Sequence, residues 1–60
     1  MSRFADNLKQ AMDAASLTAA ELAERSGLTE AAISYLRSGQ REPSYRSMLR
    51  LTRVLPDLAA

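Results

Sequence analysis

"LTAAELAERSGLTEAAISYLRSGQREPS", residues 17–44, carries the same local device twice. Thr18 is followed three residues on by Glu21, the spacing of a capping box. In that box the threonine hydroxyl accepts from the third amide of a helix while the carboxylate accepts from the amide of the cap. Leu17 before the cap and Leu22 inside the helix have the spacing of a hydrophobic staple. Thr29 opens a second helix in the same way, with Leu28 set to meet Ile33. Between them Gly27 supplies the residue type that takes the left-handed conformation closing a helix, so the first helix is expected to stop at about Ser26.

Two short helices, each with its own cap and joined by about three residues around a glycine, have the layout of a helix-turn-helix. Outward from this centre the pattern stays helical. Phe4, Leu8, Ala11, Met12 and Ala15 recur at helical spacing, predicting an amphipathic helix over residues 3–15 with Ser2 as a candidate cap. Gly39 ends the third helix and "QREP", residues 40–43, forms a loop. Ser44 after Pro43 caps a fourth helix running from Tyr45 to about Leu55. Pro56 lacks an amide donor and ends it within a turn. No segment alternates as a strand does, so the expected fold class is all-α with four helices.

Sixty residues, with two glycines, two prolines and 47% hydrophobic residues, allow one small domain over 1–60. No cysteine is present to staple it, nor any histidine or cysteine cluster to hold a metal, so stability rests on capped helices packed closely. No apolar run approaches the roughly 20 residues of a membrane span, and no signal-peptide core is evident; a cytoplasmic protein is expected. An enzyme is disfavoured: there is no histidine or cysteine, no glycine-rich phosphate loop and no carboxylate cluster with an evident pocket. No cofactor is expected.

The net charge of +1 conceals a division along the chain. Residues 1–36 carry three cations against five carboxylates, a net −2, whereas residues 37–53 carry five arginines against Glu42, a net +4. A basic segment of this kind suits a polyanion, and an arginine-bearing solvated helix face would give the same count.

At 100° per residue, Ala32, Ile33 and Leu36 fall on one side of the third helix and Glu30, Ala31, Ser34, Tyr35 and Ser38 on the other. The first side is core. Ala23 is small where the two helices must cross closely, and Leu22, Ile33 and Leu36 fill the crossing.

Taken together, Thr18, Glu21-Leu22-Ala23, the Gly27-Leu28-Thr29 turn, Ile33-Ser34, Gly39, Pro43-Ser44 and the leucines of the fourth helix resemble the helix-turn-helix of phage repressors, Cro proteins and the wider xenobiotic-response-element regulators. The resemblance covers about residues 4–55, and no single element of it is specific; their joint spacing is. It implies a compact lambda-repressor-like domain whose fifth helix is absent or vestigial. It also implies that the outward face of the third helix enters the major groove of double-stranded DNA. Carried over by position, Thr29, Glu30, Ala31, Ser34 and Tyr35 face base edges, and Thr18, Ala19, Arg37, Ser38, Gln40, Arg41, Ser44 and Arg46 face phosphates. Backbone amides at the start of the second helix add an anion site without a basic side chain.

Two positions depart from the family. Members often carry glutamine at the position of Ala19, so that contact is lost or passes to the backbone. Many carry glutamate at the position of Arg37, which here reaches a phosphate or pairs with a nearby acid. Glu30 stabilises the helix dipole or accepts from cytosine N4, Ala31 is a helix former or packs on a thymine methyl, and Tyr35 has no core to join.

On the wheel of the fourth helix, Tyr45, Met48, Leu49, Thr52 and Leu55 are assigned to the core, with Arg46, Arg50 and Arg53 as a basic stripe. Leu51, Val54 and Leu58 then lie together on a third side. That strip is either the interface of a homodimer, pairing two recognition helices across a palindromic site, or is covered by the C-terminal tail folding back. Arg46 is expected on phosphate, Arg50 and Arg53 in solvent or in ion pairs.

The resulting expectation is a sequence-specific transcriptional regulator, most simply an autorepressor, with DNA and a second copy as partners and no membrane or small-molecule effector. The alternative is a protein-interaction module, such as an antitoxin-type partner-binding protein, that keeps the fold without binding DNA.

Overall fold

The structure, a computed structural model, describes residues 3–59. It contains α1 (Arg3–Ala15), α2 (Ala19–Ser26), α3 (Glu30–Ser38) and α4 (Tyr45–Val54), followed by a 3-10 turn over Pro56–Ala59. Ser2, the candidate cap of α1, lies outside the described residues. Among the described residues no helix is long and apolar enough to cross a membrane.

The helix starts follow from local chemistry. Thr18 is extended, its Oγ1 accepts from the Glu21 amide at 3.1 Å, and Glu21 Oε1 accepts from the Thr18 amide at 3.0 Å, completing the box. Thr29 Oγ1 accepts from the Ala32 amide and Ser44 Oγ from the Ser47 amide, both at 3.1 Å. Each satisfies a donor that the first turn of a helix leaves without an intrahelical partner.

The helix ends divide into two kinds. Gly27 (φ 77°) and Gly39 (φ 81°) close α2 and α3 in the left-handed region. The turn after α1 uses the same geometry without a glycine: Ser16 has φ 55°, and the Leu17 amide donates to the Met12 carbonyl at 2.9 Å. That five-residue reach is the closing bond of a Schellman motif, here with a side chain in a conformation that disfavours one.

Leu8, Met12, Leu22, Ala23, Ile33, Leu36, Leu51 and Leu55 form one buried cluster, with Phe4, Ala11, Leu17, Leu28, Val54 and Leu58 packed against it. α3 packs on both α1 and α2, α4 packs on α2, and the 3-10 turn joins α4 to α1. On α1, Ala5 is buried with Leu8 and Met12, Phe4 and Ala11 are half-buried, and Ala15 is exposed, so the buried stripe is narrower at its end than the spacing predicts.

The expected core face of α4 is corrected. Leu51 is 0% exposed, at the centre of the cluster, while Tyr45 and Leu49 are 81% and 45% exposed. Relative to the expected face, the helix is turned by about 80–100°, close to one residue step. The reason is the end of the chain. Leu55 and the turn after it fold back, so that Val54 and Leu58 lie against the same core as Leu51. Leu51 is therefore buried and closed to a partner subunit, while Val54 and Leu58 are half-buried against the same core.

Candidate nucleic-acid interface

α3 divides as its sequence dictates. Ile33 and Leu36 are buried, and Thr29, Glu30, Ala31, Ser34, Tyr35 and Ser38 are all exposed. The capping bond occupies the acceptor side of Thr29 Oγ1. The Ser38 hydroxyl donates to the Tyr35 carbonyl at 3.1 Å. Ser34, Glu30 and Ala31 stand on the surface with their side chains uncommitted among the described residues.

At the end of α3 the chain folds back over the last turn. The amides of Gln40 and Arg41 donate to the Tyr35 carbonyl at 3.1 and 3.4 Å. That path brings the Arg41 guanidinium over the Tyr35 ring, its Cζ 4.7 Å from the centroid. A cation over an aromatic face is attracted by the ring quadrupole, by about 0.5–1 kcal/mol at an exposed site. Tyr35, 40% exposed with no core to join, thus holds the nearest loop cation. Arg41 also lines a shallow groove with Ala32, Leu36, Glu42, Pro43, Ser44 and Ser47, which places it, with one carboxylate beside it, on the α4 side of α3.

At the start of α2, Thr18 is exposed with both polar groups in the capping box, and Ala19 is half-buried against the core. Ala19 therefore offers its backbone rather than its side chain. The Glu21 carboxyl is held below the usual carboxylate range, first by the hydrogen bond from the Thr18 amide, then by the Thr18 hydroxyl and the charge of Arg25. Glu21 stays ionised and its negative charge complements the helix N-terminus.

The arginines of α4 have different surroundings. Arg46 and Arg53 are exposed. Arg50 is exposed as well, but its Nη1 donates to the Ser26 carbonyl at 3.4 Å. Among the described residues it forms no ion pair; it satisfies a carbonyl at the C-terminus of α2, where a cation is favoured by the dipole. The fit is close, since a Cβ added to Gly27 would lie 2.6 Å from that nitrogen. Ser26, buried beside it, donates to the Ala23 carbonyl at 3.4 Å and accepts from the Leu28 amide at 3.3 Å, pinning the α2–α3 turn.

Arg37 forms no ion pair among the described residues. It stands with Ser34 and Ser38 opposite Lys9 of α1, around a shallow cleft of about 360 Å³. Sequence reading missed Lys9, although its place four residues after the buried Ala5 sets it on the edge of the packed face. It also misplaced Tyr45, which stands exposed beside Ser44 and Arg46. Gln40 is exposed in the loop. No group of three or more histidine, cysteine, aspartate or glutamate side chains gathers to hold a metal among the described residues.

Comparison with known proteins gives one match. A model of the helix-turn-helix family matches residues 8–57, which spans all of α2, α3 and α4 and most of α1. No curated protein and no solved structure matches the chain. With its two capped helices, their glycine turn and a family match over most of its length, the chain belongs to the helix-turn-helix family of DNA-binding regulators, of the phage repressor and Cro type.

Proposed function

We propose that this protein is a sequence-specific regulator that lays α3 in the major groove of duplex DNA and represses by occupying a palindromic site with two copies. One observation carries the reading: the whole outward face of α3 is exposed, and cations stand on both of its flanks. Arg37 and Lys9 adjoin the Ser34 and Ser38 side, and Arg41 adjoins the Tyr35 and Ala32 side. Phosphate contacts position a protein on DNA and base contacts specify the sequence, so a reading helix can leave charge to its neighbours. Thr29, Glu30, Ala31, Ser34 and Tyr35 are then the base-facing residues. Thr18, the Ala19 amide, Arg37, Ser38, Gln40, Arg41, Ser44 and Arg46 face phosphate. A helix of nine residues reads few base pairs alone, and a second copy on an inverted half-site doubles the contact.

Selection of bound sequences from a random duplex pool tests this directly. The expected product is a pair of inverted half-sites with centres about 10–10.5 bp apart, or a multiple of that spacing. Binding to random duplex is expected at about 10⁻⁴–10⁻⁶ M at physiological salt and becomes tighter as salt is lowered, reaching the micromolar range or below. No shift of any duplex at micromolar protein in low salt defeats the reading and leaves the protein-interaction module. A single ungapped half-site defeats the two-copy arrangement alone.

A further inference from the structure

We propose that the cleft between α1 and α3, walled by Lys9, Ser34, Arg37 and Ser38, is a phosphate site that holds one DNA strand at the edge of the recognition helix. It rests on the DNA-binding reading and adds to it a contact from α1, which the residue pattern did not assign.

The charge arrangement is the first support. Lys9 and Arg37 face one cleft, and neither has an ion-pair partner among the described residues. Asp6 and Asp13 lie one turn before and after Lys9 on α1, and neither is paired with it. Two like charges sharing a cleft repel, and an anion between them removes that repulsion. A phosphodiester is such an anion, with oxygens to accept from several donors at once.

The donor set is the second. Arg37 presents a planar fork suited to two phosphate oxygens, and Lys9 a compact charge on a flexible stem. The Ser34 hydroxyl is uncommitted among the described residues, whereas that of Ser38 already donates to the Tyr35 carbonyl. Ser34, also one of the base-facing residues, is in this arrangement the third phosphate donor, and Ser38 forms the wall. Glu30 stands one turn before Ser34, which confines the anion to the C-terminal half of α3.

The third is rigidity. α1 and α3 meet through Leu8, Met12, Ile33 and Leu36 of the common core, so the two walls are held in place without a ligand. With the helices fixed in advance, only the exposed Lys9 and Arg37 side chains are ordered on binding, which limits the entropic cost. Because Ser34 and Ser38 belong to both the cleft and the outward face of α3, a phosphate here lies beside the bases being read.

The test is a salt series followed by fluorescence anisotropy on one labelled duplex, with wild type, Lys9→Gln, Arg37→Gln, Lys9→Arg and Arg53→Gln compared. Each lost phosphate contact is expected to reduce the slope of log K against log salt by about 0.9. Over a fourfold rise in salt, the affinity lost shrinks by about 3.5-fold for each such contact. Lys9→Gln and Arg37→Gln should show this reduction with the ratio of selected-site to random-duplex affinity unchanged, and Lys9→Arg and Arg53→Gln should keep the wild-type slope. All three positions substituted are exposed, and unchanged helicity by circular dichroism verifies folding. Wild-type slopes in both glutamine variants overturn the cleft while leaving DNA binding intact. Absence of salt-dependent binding by wild type overturns the reading beneath it.

Discussion

Leu51→Ala separates the observed packing of α4 from the one its hydropathy suggests. Leu51 has no exposed surface and sits within the cluster of Leu8, Leu22, Ile33, Leu36 and Leu55. The substitution removes three carbons, worth about 2.4 kcal/mol at about 0.8 kcal/mol per methylene. The helix cannot close the gap without unseating its neighbours, and the residual cavity brings the loss to about 3 kcal/mol, within the usual 2–5 kcal/mol. A 60-residue domain has a total stability of about 3–9 kcal/mol, so the variant stands near the threshold of folding. The expected fall in Tm is about 12–24 °C, read by thermal unfolding in circular dichroism. Leu49→Ala, at an exposed site on the same helix, should cost within about 0.5 kcal/mol. The reverse order, with Leu49 costly and Leu51 neutral, refutes the rotation of α4. A subunit contact at Leu51 would instead make the loss depend on protein concentration, which the observed burial does not allow.

Two further substitutions probe helix ends. Ser16→Gly relieves a left-handed φ of 55° at the α1–α2 turn and should stabilise by about 0.5–1 kcal/mol, net of the extra freedom glycine gives the unfolded chain; an unchanged or lower urea midpoint opposes this. Glu21→Gln tests the capping carboxylate through pH. Its pKa is depressed on folding, so the stability it contributes is present at neutral pH and is lost as pH falls through the carboxylate range. Wild type should be the more stable at pH 7 and the two proteins should converge in acid, whereas a pH-independent difference assigns the effect to side-chain shape.

The boundaries of the helices were legible because their causes are local. Thr18, Thr29 and Ser44 cap helices through bonds spanning three residues, and Gly27 and Gly39 close them through their own φ. The face of α4 was not legible, because Tyr45, Met48, Leu49, Leu51, Val54 and Leu55 place apolar side chains around most of its circumference. A wheel then admits more than one core face. The choice depends on how the segment after Pro56 returns to the body of the domain, and on Arg50 reaching a carbonyl 24 residues earlier. The end of α1 at Ala15 followed from the apolar spacing, but the means of closing it did not, because serine in a left-handed position carries no sequence signal.

The same distinction holds for the candidate interface. The outward face of α3 follows from helical period alone, and each of its residues is exposed. What stands beside that face follows from tertiary packing. Lys9 adjoins it only because α1 packs on α3, and Arg41 lies over Tyr35 only because Gln40 and Arg41 curl back to the Tyr35 carbonyl. Count of charge therefore misleads as a map of a binding surface. Of the five arginines that make residues 37–53 basic, Arg50 is hydrogen-bonded to the end of α2, and a lysine from the net-acidic first segment stands beside α3. A helix with a single acid and no base on its outward face is thus compatible with a polyanion. The positive charge beside that face comes from α1, from the flank of α3 and from the loop, and on the proposed reading the outward face has a ring, a methyl group, hydroxyls and one carboxylate with which to differ among bases.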